Sequence, residues 1–388
     1  MLQTAIAHST ELDSQVAVEE VLKQTRETLG ELRPQAGMLF AGINHNFKRI
    51  LGRINETYPG IELIGCTTDG EMSSVHGFTD DSIVLTLFYS EELSFKAGMA
   101  EGVSEDPYTS LKKAIETARS SLGQEPKLCI VTPQGLMARA DRVLEGLQQG
   151  LGENFPIFGG CAADQYRHKV TYQFYKNEVF ADAVPFLLLA GGLLFSFGAE
   201  NGWMPVGSKA RVTRSDQNTV YRIGNRSATD FFEYYIGEID WPIDLPYVTE
   251  YPLAVFEDDR ESFYLPSIKA YDEEKGSITF GSVIPEGVTV QIAHTTRDNI
   301  IEAAKKSVHS ALTEYPGSKP SVAFCFSCAI RKEILGTRIK DEYEVLQSSF
   351  PNLPIAGFYT YGELGPLNRY NPSRYHSRTF VTLLIGLE

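Results

Sequence analysis

Three passages of this 388-residue chain repeat one arrangement, and that repetition constrains the fold more than any other feature. They are Glu62-Leu63-Ile64-Gly65-Cys66-Thr67-Thr68-Asp69-Gly70-Glu71-Met72, Pro156-Ile157-Phe158-Gly159-Gly160-Cys161-Ala162-Ala163-Asp164-Gln165 and Pro354-Ile355-Ala356-Gly357-Phe358-Tyr359-Thr360-Tyr361-Gly362-Glu363-Leu364. In each, a short apolar run that reads as a buried strand meets a glycine and then a knuckle of small, polar or aromatic residues. Glycine suits a sharp or left-handed turn and leaves room for a ligand to approach the main chain. The knuckles are the expected site.

The elements around the knuckles recur in the same order. A strand from Leu2 to Ala7, an amphipathic helix from Ser14 to Leu29, a strand from Met38 to Ile43, a helix carrying Phe47, Ile50, Leu51 and Ile54, and a strand into the first knuckle form one unit. Units of about 1–100 and 101–200 follow this pattern, and a third is expected over 277–388, opening with strands Ser277 to Phe280 and Val288 to Ala293. Pro34, Pro126 and Pro320 each precede the middle strand, where a residue without an N–H can end a connection and still open a strand. Ile50-Leu51-Gly52 and Ile334-Leu335-Gly336 occupy corresponding helices. Short strand-helix-strand links favour parallel pairing, so the expected class is α/β: repeated strand-helix-strand-helix-strand units forming mixed sheets covered by helices. A stretch over 208–270 does not repeat, which divides the chain into an N-terminal part, 1–219, and a C-terminal part, 220–388.

Charge narrows the function. The formal net charge of −15, with no run of clustered Lys and Arg, argues against nucleic acid and anionic membrane as partners. The longest apolar run, Ala183 to Phe197, is interrupted by Pro185, Gly191 and Gly192 and is shorter than the ~20 residues of a membrane helix. The N-terminus lacks the basic and apolar segments of a signal peptide, and the five cysteines are few and set in apolar runs, so a cytoplasmic location is expected. A homo-oligomer is left open.

Ile64-Gly65-Cys66-Thr67-Thr68-Asp69-Gly70-Glu71, Phe158-Gly159-Gly160, Gly202-Trp203-Met204-Pro205-Val206-Gly207, Phe326-Ser327-Cys328 and Gly357-Phe358-Tyr359-Thr360-Tyr361-Gly362-Glu363 together resemble the FIST proteins, a sensory family with N- and C-terminal modules. One departure stands out. Where the family follows Phe-Ser-Cys with Gly-Arg, this chain has Ala329-Ile330-Arg331. The resemblance implies a signalling input module that binds a small, amino-acid-like ligand and regulates a partner histidine kinase or cyclic-dinucleotide enzyme by contact. It also implies an alternative, a haem-binding nitric oxide sensor acting on a histidine kinase.

Residue chemistry supplies candidates for the ligand. Tyr359 and Tyr361 lie two apart, so an extended segment would turn both rings to one side; Glu363 shares that parity and suits a ligand amine. Arg331 suits a carboxylate through its bidentate fork, with Cys328 at the end of the preceding strand. Cys66, Asp69 and Asp164 are the corresponding candidates in the first two knuckles. The competing reading has the tyrosines packing the core and Glu363 capping a turn. Cys325 and Cys328 are three apart and face opposite sides of a strand, so a metal or redox pair is disfavoured and Cys325 is expected to be buried. For haem, His168, His294 and His45 sit at strand ends or beside a knuckle, although a structural role is the commoner fate of any single histidine. No Gly-x-Ser-x-Gly elbow, P-loop or His-Glu-x-x-His is present, so no enzyme is expected. The alternative is a thiol-dependent enzyme using Cys66 or Cys328, which would require a lowered thiol pKa.

Overall fold

The computed structural model describes residues 1–137, 139–241, 248–256 and 262–387. Local signals set the elements. The Asp13 carboxylate accepts from Gln15 N and Val16 N and starts the helix Ser14–Leu29, which buries Ala17, Val18, Val21, Leu22 and Leu29 and stops at Gly30 with φ +59°.

The three units build three six-stranded sheets of one plan. In the first, Leu2–Ser9 pairs antiparallel with Ile83–Ser90, which pairs antiparallel with Ala36–Ala41, which pairs parallel with Glu62–Thr67. Leu93–Glu101, Ala183–Gly191, Pro126–Val131 and Ile157–Gly160 repeat this, as do Leu193–Glu200, Phe380–Leu387, Val322–Cys328 and Ile355–Thr360. Alternate residues of each middle strand face opposite ways. Phe40, Ile130, Phe324 and Phe326 point into one central core shared by all three sheets, whereas Leu39, Cys129 and Cys325 point out under helices. The result is mixed sheets, helix-covered on the outside and closed on each other inside.

Each sheet is completed by its neighbour. Glu71–Ser73 and Gly77–Thr79 of the first unit finish the third sheet, Gln173–Tyr175 and Glu178–Phe180 of the second finish the first, and Glu363–Gly365 and Arg374–His376 of the third finish the second. No unit carries all six strands of its own sheet.

The third unit departs from expectation at its start. The third unit opens with Leu193–Glu200, so the apolar run from Ala183 to Phe197 is two strands belonging to different units. The turn between them falls where Gly191 takes φ +108°. Ser277–Phe280 and Thr289–His294 instead belong to the insert, which forms its own sheet from Met204 onward with a separate core around Phe231, Phe232 and Trp241. Alternating apolar residues look alike in either sheet, and only pairing separates them. The helix that carries Ile334-Leu335-Gly336 stops at that glycine. Gly336 at φ +53° ends Ala329–Leu335, and a 3₁₀ turn leads into Ile339–Ser349.

Candidate functional site

The knuckles meet in one ring of main-chain hydrogen bonds. Asp69 N donates to Tyr359 O (2.9 Å), Ala163 N to Thr67 O (2.8 Å) and Tyr361 N to Cys161 O (3.4 Å). A second set runs from Tyr359 N to Gly70 O, Cys161 N to Gly362 O and Thr67 N to Tyr172 O. These bonds relate the units by an approximate threefold. They also explain the repeated glycines differently from the expected turn: a Cβ on Gly65, Gly159 or Gly357 would sit 2.0, 1.9 or 2.1 Å from the carbonyl oxygen of Leu39, Val131 or Cys325. Close approach of neighbouring strands excludes a side chain there.

Beside the ring lies a cavity of about 530 Å³ between the second unit, the third unit and the insert. Cys328 and Glu333 come from the end of one strand and the helix after it, Tyr361 from the third knuckle, and Arg378 from the segment before the closing strand. Tyr166 and His168 come from the loop after the second knuckle, and Ser267 and Lys269 from the insert. Arg378 takes φ +69° and is almost wholly buried; its Nη2 donates to Thr249 O (2.5 Å) and its Nη1 to Ser377 Oγ (3.1 Å). Burial holds the guanidinium pKa below its usual value. Lys269 is exposed at its position in the sheet, yet the cavity walls desolvate its amine and lower its pKa. Glu333 is exposed.

Asp164 organises the rim. Its Oδ1 accepts from His168 N (3.0 Å) and Tyr361 Oη (2.8 Å), and its Oδ2 from Lys169 N (2.7 Å) and Val170 N (3.1 Å). Burial opposes ionisation, but these donors hold the carboxyl below the usual carboxylate range. Tyr361 Oη in turn accepts from Tyr166 N (2.5 Å), and the Tyr361 ring lies nearly flat against His168, 5.4 Å between centroids at 19°. Gln165, Tyr166 and His168 all take φ near +50°, a conformation that costs a non-glycine residue about 1–3 kcal/mol and is held by these contacts.

The expected zwitterion set is split by the sheet. Tyr361 and Cys328 line the cavity. Tyr359 and Arg331 do not: they are fully buried on the helix side, where Glu342 accepts from Tyr359 Oη (2.6 Å), Ser327 Oγ (2.9 Å), Arg331 Nε (3.0 Å) and Arg331 Nη2 (2.7 Å). The strand ends at Thr360, so the parity that was to bring Tyr359 and Tyr361 to one side fails at the knuckle. Glu363 is buried behind the ring, accepting from Thr379 N (2.9 Å). Asp69 is buried with Lys332 Nζ 3.8 Å from its Oδ2, and burial pushes its carboxyl up to about 7. Cys66 faces the central core. Cys325 is buried under the helices, apart from Cys328.

Arg378, Lys269, Tyr166 and Glu333 were not anticipated. One signal was present. The residues before the three closing strands correspond, with Ser82 N, Ala183 N and Thr379 N donating to Glu71, Gln173 and Glu363. The residue preceding each is Asp81, Asp182 and Arg378, an acid twice and a cation where the cavity lies.

The residues do not fit a haem. Of the three histidines considered, only His168 lines the cavity, and Tyr361 covers a face of its ring. His45 is engaged by Ser14 Oγ and Asp81 O, each at 3.3 Å, and His294 is stacked on Tyr251. The walls carry Arg378, Lys269, Ser267 and Ser377 where a macrocycle needs an apolar slot. Among the described residues no three His, Cys, Asp or Glu converge as a metal site, and no helix is long and apolar enough to cross a membrane.

Two family models together cover most of the chain: a FIST N domain over residues 35–226 and a FIST C domain over 228–366. The chain belongs to the FIST family. FIST domains mark signal-transduction sensors, and the boundary between this FIST protein's two domains falls inside the insert. An uncharacterized protein of Methanocaldococcus jannaschii is 24% identical over 331 residues, 80% of this chain; the chain spans only 62% of that relative's length. An uncharacterized protein of Mycobacterium tuberculosis H37Rv is 21% identical over 380 residues, 95% of this chain and 96% of its own. Among solved structures, a cyanuric acid hydrolase from A. caulinodans aligns over all of both chains at 7% identity and TM-score 0.42. A chorismatase aligns over 100% of this chain and 98% of its own, at 7% identity and TM-score 0.36.

Proposed function

We propose that this FIST protein is a non-catalytic sensor whose cavity takes a small amino-acid-like ligand and reports its occupancy by contact to a separate histidine kinase or cyclic-dinucleotide enzyme. One observation carries the reading: a single cavity combines the cations Arg378 and Lys269, the carboxylate Glu333 and an aromatic rim of Tyr166, His168 and Tyr361. A zwitterion needs both signs of charge on the walls, and Glu333 makes no ion pair among the described residues. Because the cavity is shared by two units and the insert, a ligand bound there stabilises one arrangement of them, which is the physical basis of a signal. Burial and the nearby Glu363 carboxyl raise the Cys328 thiol, the opposite of what a nucleophile requires, and this supports the non-catalytic reading.

Thermal melting against a panel of amino acids tests the proposal, since a ligand bound only by the native state raises the midpoint. A shift of several degrees with one of them, reduced about tenfold in affinity by Lys269→Ala without a change in the ligand-free midpoint, is the expected result. If no amino acid moves the midpoint, the ligand assignment fails. Added haem giving a stable band near ~400 nm, abolished by His168→Ala, would replace it with the gas-sensor reading. Turnover of any substrate lost in Cys328→Ser would overturn the non-catalytic assignment.

A further inference from the structure

The insert carries a feature that the acidic composition hides. Lys209, Arg211, Arg214, Arg222 and Arg226 fall within one short stretch that holds a single acid, Asp216, in a chain of formal charge −15. Spaced along the sequence, they do not form a run. Folding brings them together, because Met204–Asp216 and Thr219–Ile223 pair antiparallel and Arg214 lies directly opposite Arg222. Val212, Val220 and Ile223 point into the insert's core, while Lys209, Arg211, Arg214 and Arg222 are exposed on the ribbon.

Like charges directly opposite on a ribbon oppose its pairing, so this arrangement is costly for the isolated fold. Among the described residues no carboxylate lies within ion-pair distance of Arg214, Arg222 or Arg226. Arg222 Nη2 donates to Asn225 O (2.7 Å), Arg214 lies 5.0 Å from the Tyr221 ring and Arg226 lies 3.9 Å from Tyr234. The carboxylates around the ribbon are otherwise placed: Asp216 is exposed at its turn end opposite Thr219, Glu286 accepts from Ser215 N, and Asp230 sits in the first turn of the following helix. Tyr234, under Arg226, is 62% exposed. Exposed arginine against exposed tyrosine is typical of a protein interface.

We infer that this basic ribbon is the docking surface for an acidic segment of a partner protein. Charge complementarity favours that occupant over longer polyanions. A duplex or a lipid surface would extend well past the ribbon and face the acidic remainder of the chain, whereas a short acidic segment fits within a Debye length of the arginines. The ribbon is also wired to the cavity. Arg222's strand pairs with Ser277–Phe280, which pairs with Ile268–Asp272, the strand that carries Lys269.

Fluorescence anisotropy of a labelled Glu/Asp-rich peptide with one tyrosine, titrated with the full chain, tests this directly. Binding is expected to weaken about tenfold between about 50 and about 300 mM NaCl, and at least tenfold in Arg214→Glu/Arg222→Glu at low salt. Arg214→Gln/Arg222→Gln, which removes the repulsion without adding acid, should lose about threefold to tenfold and keeps the test valid if the reversed variant melts early. Unchanged affinity in both variants, or insensitivity to salt, overturns the proposal. Tighter binding to phosphatidylserine-containing vesicles or to duplex DNA would overturn the partner class. A wild-type dimer in sedimentation that these substitutions disperse would make the occupant a second copy, and overturn it likewise.

Discussion

The first and third knuckles have the same backbone and opposite surroundings. In the first, Glu71 accepts from Thr68 Oγ1, Ser82 N (3.1 Å) and Ser82 Oγ (2.5 Å). Ser82 Oγ then meets His8 Nε2 at 2.9 Å, and His8 Nδ1 meets Ser73 Oγ at 2.7 Å. Burial, helped by His76, drops the His8 pKa to about 3, so the ring stays neutral and the knot is closed and fully partnered. In the third, Glu363 takes one main-chain donor, and the space beyond the ring opens into the cavity under the insert. Repetition therefore built the frame, and departure from repetition built the site. The insert, which grows out of the third unit alone, reaches over the second and third knuckles and leaves the first sealed.

That comparison can be broken most severely by separating the units. A fragment of residues 1–219 lacks Glu363–Gly365 and Arg374–His376 from its second sheet and should give no cooperative unfolding transition by circular dichroism. A smaller but still large loss is expected from Gly65→Ala or Gly357→Ala, either of which forces a Cβ into a carbonyl. We expect at least about 4 kcal/mol in urea titration, whereas Gly52→Ala, in open space on a helix, should gain about 0.5–1 kcal/mol. Breaking the buried pair behind the third knuckle with Arg331→Ala should cost about 3–5 kcal/mol, because Glu342 is left charged and buried. Tyr361→Phe removes the hydroxyl that links Asp164 to Tyr166 N. It should cost about 1–2 kcal/mol and raise hydrogen exchange over 165–170, with no effect on exchange around His8.

The smallest effect concerns pH. Burial pushes Glu71 up to about 7, so the folded protein holds a proton that the unfolded chain releases near pH 4. Its stabilising contribution is full below about pH 4 and is lost as pH rises through about 7. Melting midpoints should thus fall by a few degrees between about pH 5 and 8. Glu71→Gln copies the second unit, where Gln173 accepts from Ala183 N, and should reduce that slope, leaving the part that Asp69 contributes.

Much of this was legible in the chain. Apolar periodicity, short apolar runs and the recurrent prolines gave the helix Ser14–Leu29 and most strands of the first two units. The third unit was misread at its start because Ser277–Phe280 and Leu193–Glu200 have the same local pattern and only their partners differ. Tyr359 was misplaced because side-chain parity holds only while a strand lasts. Arg378 and Lys269 were overlooked because neither sits in a motif. Their chemistry comes from burial against groups far away in sequence.

The sequence by itself determined the threefold repetition and the α/β alternation, since these follow from local propensity and spacing. Only the tertiary structure decided that each unit lends strands to its neighbour, that the knuckles close into one ring, and that spaced arginines of the insert converge on one ribbon. Pairing across hundreds of residues is selected by the fit of whole sheets, and no local stretch of chain carries that information.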